Sequence, residues 1–267
     1  MGRPLLLLAL LTVASVAGCG GGHRPPPVTP PPPTVVDSPR CRPPVQHPDP
    51  VLLVHGTFAD TSWQLIGPAL AQRGYCVFTF GYGDLGTANI AGSARQLARF
   101  VTRLLATTHA RRVAIVGHSE GGLMPRYYIR FLDGGPKVSD LIGLAPSNHG
   151  TQSPLALQGA MLGCVACAQQ LAFGSPFLRR LNAGDETPPP VDYTNIQTAY
   201  DQVVVPYTSA FLSGPAARVT NITLQGACPG DLTGHVGIPT DPIALQWIEN
   251  ALTRSGPADP QFRPRCD

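Results

Sequence analysis

With 267 residues, of which 43% are hydrophobic and 13% charged, the chain can bury the core of one α/β domain. That charged share is about half the usual level. A formal net charge of +3, with Lys137 the only lysine and no basic cluster, argues against nucleic acid as a partner.

The first residues read as a targeting segment. Arg3 gives a positive start, and Leu5 to Ala17 is an apolar run too short for a membrane span. It ends in Val16-Ala17-Gly18-Cys19, which looks like a bacterial lipobox: a signal peptide over 1–18, then a cysteine that is lipidated and becomes the new N-terminus. Ordinary secretion with cleavage after Ala17 is the competing reading. Parity favours the first, because seven cysteines minus Cys19 leave six to pair in an oxidising compartment. The expected location is extracellular, anchored to the cell membrane by lipid, as a monomer. Residues 19–50 read as a tether, since 12 of the 30 prolines fall between Pro25 and Pro50. Its last part, from Cys41, is expected to be tied by a disulfide to a folded domain over 51–267.

Within that domain Val51–Val54 predicts a buried strand running into His55-Gly56-Thr57-Phe58. Leu65–Gln72 predicts a short helix and Cys76–Phe80 a strand. Ile90, Ala94, Leu97, Val101 and Leu104 mark an amphipathic helix whose other side, with Arg95, Arg99 and Arg103, is a solvated face. Val113–Val116 is a strand, followed by a helix through Leu123, Tyr127 and Phe131 in which Pro125 must strain or end a turn. Leu141–Ala145, Tyr193–Tyr200 and Val219–Gln225 predict further strands. Thr240 and Asp241 are good caps, and Pro242 a good first residue, for a closing helix through Leu252. Strands alternating with helices, without an internal repeat, predict a single α/β domain with a mostly parallel sheet covered on both faces.

The chemistry centres on Gly117-His118-Ser119-Glu120-Gly121. A serine on a sharp strand-to-helix turn needs small neighbours two residues either side, and the turn lifts its hydroxyl above the sheet edge. Ser119 is therefore the candidate nucleophile. It needs a histidine to take its proton. His23 and His47 lie in the tether, His109 in a polar turn, His118 on the elbow and His55 before the nucleophile. In elbows of this kind the order is serine, acid, histidine, and His149 comes too soon after the elbow to admit an acid-bearing strand. That leaves His235, in a loop with Gly230, Gly234 and Gly237. Asp201, after the strand ending near Tyr200, is the candidate acid. Asp192 stands at the wrong end of that strand, Asp231 is too near His235, and Asp185 and Glu186 precede a proline run. Two backbone donors for an oxyanion are expected from Glu120 and Thr57, the Thr57 hydroxyl being a third. The Glu120 carboxylate is expected to point away.

These motifs, with Ala145-Pro-Ser-Asn-His-Gly-Thr151, Tyr200-Asp-Gln-Val-Val204 and the loop at His235, resemble the bacterial class 2 triacylglycerol lipases and, more distantly, the yeast lipase known as lipase B. The resemblance covers Cys41 to Cys266. It implies an α/β-hydrolase fold, hydrolysis of lipid or other carboxylic esters with neither metal nor organic cofactor, the triad Ser119, Asp201 and His235, and the disulfides Cys41–Cys76 and Cys228–Cys266. Two positions depart from lipase B: Glu120 stands where it carries glutamine, and Cys164 and Cys167 are additional.

Cys164-Val-Ala-Cys167 has the spacing of a redox or metal pair, yet no second ligand pair accompanies it, so a local disulfide is expected. The apolar stretch Pro154–Phe177 around it is expected to supply an acyl-pocket wall or lid, with core packing explaining some of its side chains. Beside the lipase or carboxylesterase reading stand an acyltransferase using the same three residues and, from another class, a lipid-binding protein without catalysis. A binder has no need of all three residues.

Overall fold

The structure, a computed structural model, describes residues 36–59 and 63–266. The signal segment, Cys19 and the tether up to Val35 lie outside the described residues.

Among the described residues six strands form one all-parallel sheet: β1 (Val51–Val54), β2 (Val77–Phe80), β3 (Val113–His118), β4 (Val138–Leu144), β5 (Asp192–Gln197) and β6 (Val219–Thr223). Their order across the sheet is β2-β1-β3-β4-β5-β6. The helices are α1 (Ile66–Gln72), the single turn α2 (Gly83–Gly86), α3 (Ile90–Thr108), α4 (Glu120–Phe131), α5 (Pro154–Met161), α6 (Val165–Gln169), α7 (Pro176–Asn182), the single turn α8 (Leu224–Ala227) and α9 (Pro242–Leu252). Among the described residues no helix is long and apolar enough to cross a membrane.

The two-residue period of the strands divides the core into two layers. Val51, Leu53, Ala114 and Val116 pack with Ile66 and Leu70 of α1 and with Trp247 and Ile248 of α9. Leu52, Val54, Val113 and Ile115 face the other way, onto Leu97 and Val101 of α3 and Leu123 and Met124 of α4. A sheet buried on both faces requires the near-continuous apolar strands seen here. Arg95, Arg99 and Arg103 are exposed, as a solvated face of α3 requires. Asp241 caps α9 by accepting from the amides of Ile243 and Ala244, both at 2.7 Å.

Several sequence expectations need adjustment. Pro125 neither ends α4 nor breaks it, the helix continuing to Phe131. The strand expected to reach Tyr200 stops at Gln197, so Asp201 lies on the turn beyond it. Thr240 belongs to a short 3-10 turn, leaving Asp241 alone as the cap. The tether meets the domain before Cys41. The Asp37 amide donates to Val77 O at 2.9 Å, and its carboxylate accepts from the Thr79 amide and hydroxyl at 2.6 and 2.7 Å. These bonds cover part of β2, an edge strand whose open polar groups would otherwise be available to other chains. Three disulfides are closed, Cys41–Cys76, Cys164–Cys167 and Cys228–Cys266.

Candidate active site

Every segment of the site leaves the carboxyl end of a strand, the usual ligand edge of an open parallel sheet. β3 delivers Ser119 with φ 54° and ψ −121°, a conformation that L residues adopt only under strain. The glycines either side explain why it is tolerated. A Cβ on Gly117 would sit 1.9 Å from Gly121 O, and one on Gly121 would sit 2.1 Å from Val54 O. The Ser119 amide donates to Leu144 O at 2.8 Å, pinning the elbow to β4.

On one side of Ser119 stands His235. Its Nδ1 is 2.8 Å from Asp201 Oδ2, and both side chains are buried. The other oxygen, Asp201 Oδ1, accepts from the amides of Val203 and Val204 at 2.8 and 2.7 Å. The carboxylate is thereby fixed and the imidazole carries its proton on Nδ1, turning Nε2 into an acceptor. His118 supports the backbone of this loop, its Nε2 lying 2.9 Å from His235 O. A carbonyl only accepts, so His118 carries its proton on Nε2. Burial, aided by His235, holds its pKa down at about 3, and the ring stays neutral. Asp231 accepts from the Thr233 amide at 2.7 Å and serves the loop.

On the other side lie Thr57 and Glu120. Among the described residues neither of their amides donates to a protein acceptor. The Glu120 side chain turns toward Thr57 and is completely buried. Its Oε2 is 2.5 Å from Thr57 Oγ1 and 3.4 Å from Gln170 Nε2, while Oε1 is buried without a partner among the described residues. Among the described residues Glu120 makes no ion pair. Burial pushes its pKa up to about 8, the Thr57 hydrogen bond pulling the other way. Gln170, just past α6, donates to Thr57 Oγ1 at 3.1 Å and accepts from Ser147 Oγ at 2.7 Å.

Between the two sides opens a cavity of about 370 Å³ lined by Thr57, His118, Ser119, Gln170 and His235, with Phe58, Leu155, Val203, Val204 and Val236 among its apolar walls. That size suits a small-molecule group. A wider depression of about 860 Å³ lies between Pro43–Pro48 and Thr108–Arg112, away from Ser119 and without a nucleophile–base pair. The apolar stretch serves two ends. Leu155 and Cys167 line the cavity, whereas Leu178 and Leu181 are in the core. No residue of α5 is buried, and Leu155, Leu157, Met161 and Leu162 are more than half exposed.

The sequence of residues 48–248 matches the model of the lipase (class 2) family. The chain belongs to the class 2 lipases. Similar solved structures include lipase B of Aspergillus fumigatus, 24% identical over 79% of this chain and 54% of that one, with a TM-score of 0.70. The lipase BlEst2 of Bacillus licheniformis in its mature form is 17% identical, over 79% and 96% of the two chains, at a TM-score of 0.60. The phospholipase PlaB of Legionella pneumophila, in complex with thio-NAD, is 22% identical over 78% and 59%, at 0.57. The chain spans about half the length of the Aspergillus protein. At these identities the likeness shows the α/β-hydrolase fold.

Ser119, Asp201, His235, Thr57 and Glu120, all singled out in the sequence, thus meet at one sheet edge. Sequence reasoning assigned His118 no task and passed over Gln170 and Ser147. Two glutamines at 169 and 170, inside an apolar stretch, were the available signal. The Glu120 carboxyl is completely buried and meets Thr57, a residue of the cavity wall. The turn at Gly86 lies close to it, a Cβ there coming within 3.3 Å of Oε2.

Proposed function

We propose that this lipase hydrolyses carboxylic esters, acylglycerols among them, with Ser119 as nucleophile, His235 as base and Asp201 as the acid orienting it. One observation carries the reading. His235 and Ser119 line one cavity while Asp201 occupies His235 Nδ1 at 2.8 Å, so Nε2 is the nitrogen open to a serine proton. In acylation Ser119 Oγ bonds to the ester carbon as its proton moves to His235 Nε2. The tetrahedral oxyanion is held by the Thr57 and Glu120 amides. The C–O bond to the leaving alcohol then breaks, and His235 returns the proton to that oxygen. A water attacks the acyl-enzyme with His235 as base again, releasing the acid and restoring the serine.

Phe58, Leu155 and Val236 at the cavity, all more than half exposed, and the uncovered leucines of α5 suit a long acyl chain presented at a lipid surface. The same proposal includes a signal peptide over 1–18, a lipid anchor at Cys19, a tether over 19–50 and a place outside the cell, where three disulfides persist. Its test assays the wild type and Ser119→Ala on p-nitrophenyl esters of graded length and on emulsified triacylglycerol. Turnover is expected in the wild type and none in the folded variant; equal turnover in both would reject the assignment. Detergent-phase partitioning checks the anchor, and a Cys19→Ser protein that stays equally in the detergent phase refutes it.

A further inference from the structure

Glu120 presents a proton-counting problem. A single proton lies between its Oε2 and Thr57 Oγ1, 2.5 Å apart. Gln170 Nε2 donates to Thr57 Oγ1 at 3.1 Å, filling one lone pair of that hydroxyl, and also has Ala166 O at 3.2 Å and, at a longer 3.4 Å, Glu120 Oε2 as acceptors. If Glu120 is ionised, Thr57 must donate its only proton inward to Oε2. If Glu120 is protonated on Oε2, it donates to Thr57, and the Thr57 proton is released toward the cavity that Thr57 lines.

We propose that Glu120 acts as a carboxylic acid whose proton turns the Thr57 hydroxyl into a third oxyanion donor, and that loss of this proton switches the donor off. The inference rests on the ester-hydrolase reading above and deepens it. Geometry favours the acid form, because an ionised Glu120 would keep Oε1 charged, buried and without a partner. The start of α4 favours the anion, but only as a partial charge at one helix end. Burial outweighs it, which accords with a pKa pushed up to about 8. On the elements packed around Glu120 the titratable groups are His55 after β1, Tyr82 after β2, His118 on the elbow and His235 across the cavity. Asp84, on the covering turn α2, is exposed. None of these is a lysine or arginine able to hold a carboxylate there. On ionisation the Glu120 proton goes to solvent, Thr57 Oγ–H rotates to Oε2, and a negative charge is left beside the oxyanion position. Glu120 is thus a positioning residue acting through Thr57.

Glu120, Glu186 and Glu249 are the only glutamates in the chain, so glutamate labelled with ¹³C at the side-chain carboxyl gives three resonances. The resonance missing from Glu120→Gln is expected to titrate near pH 8. Wild-type kcat, taken net of the Ser119→Ala protein, should fall with the same midpoint by about tenfold or more, as loss of an oxyanion donor requires. That alkaline limb should be absent from Glu120→Gln. Thr57→Val, which leaves the carboxyl in place, should show at pH 7 the low kcat that the wild type reaches only at high pH. Its Glu120 resonance should titrate higher than in the wild type, since the Thr57 bond lowers that pKa. A Glu120 resonance already ionised at pH 7, or an alkaline limb unchanged in Glu120→Gln or Thr57→Val, overturns the proposal while Ser119-dependent activity stands. A wild type no more active than Ser119→Ala overturns the ester-hydrolase reading, and this inference with it.

Discussion

The two sides of Ser119 are built differently. On the base side the Asp201 carboxylate is fully answered, giving one oxygen to His235 and the other to two amides. His118 holds the His235 carbonyl while its own Nδ1 is buried without a partner among the described residues. On the oxyanion side a buried carboxyl keeps one oxygen without a partner and shares one proton with a threonine. A saturated network has one arrangement, and removing a member leaves the rest orphaned. A network short of one proton has two arrangements, and pH chooses between them. The Asp201–His235 pair should therefore respond to mutation with large, pH-independent losses. The oxyanion side should respond with smaller ones that change with pH.

The largest effect expected is on the base side. Asp201→Asn should lower kcat by about 10⁴-fold, because the amide lets His235 adopt the wrong tautomer. Asp231→Asn, which alters a loop contact, should cost less than about tenfold, roughly the worth of one hydrogen bond. Steady-state kinetics of the two variants checks this, and a severe Asp231→Asn with a mild Asp201→Asn would reverse the assignment.

His118→Phe sharpens the contrast. It keeps an aromatic ring but removes the donor to His235 O, a neutral hydrogen bond worth about 1 kcal/mol, or several-fold in rate. Since the His118 pKa is held near 3, its proton does not come and go in the working range. The loss should be the same from pH 6 to 9, and a pH–rate profile that changes shape would contradict a purely supporting role.

A further effect concerns stability. An unfolded Glu120 gives up its proton near pH 4.5, whereas the folded one holds it to about 8. The proton's contribution is fully present below pH 4.5 and is lost as pH rises through about 8. Over that window the slope is at most about 1.4 kcal/mol per pH unit for one proton. Glu120→Gln should flatten the decline in melting temperature between pH 5 and 8, and an unchanged decline would place the titration elsewhere.

Much of this was legible in the sequence. The elbow announced itself because the collisions at Gly117 and Gly121 are local, and the order of strands left few choices for base and acid. What was not legible arises from contacts far apart in the chain. Thr57 and Gln170 are 113 residues apart, and only the docking of α6 against the elbow joins them. A proline-rich composition hid the pairing of Asp37 with β2, because it depends on two side-chain bonds to Thr79 and not on strand propensity. The end of β5 was misjudged for a similar reason. Thr198 and Tyr200 have strand-like side chains, but the Thr198 hydroxyl donates to Thr233 O and accepts from the Tyr200 amide, drawing the backbone out of the ladder.

The claim beneath both sides is that Ser119 carries the acyl group. The most direct measurement is peptide mass mapping after brief mixing with a p-nitrophenyl ester and acid quench. An added acyl mass is expected on the peptide bearing Ser119, lost with time and absent from Ser119→Ala. Asp201→Asn should form it far more slowly. Turnover with no acylated Ser119 at any time, or an acyl mass on another residue that decays at the catalytic rate, would contradict it.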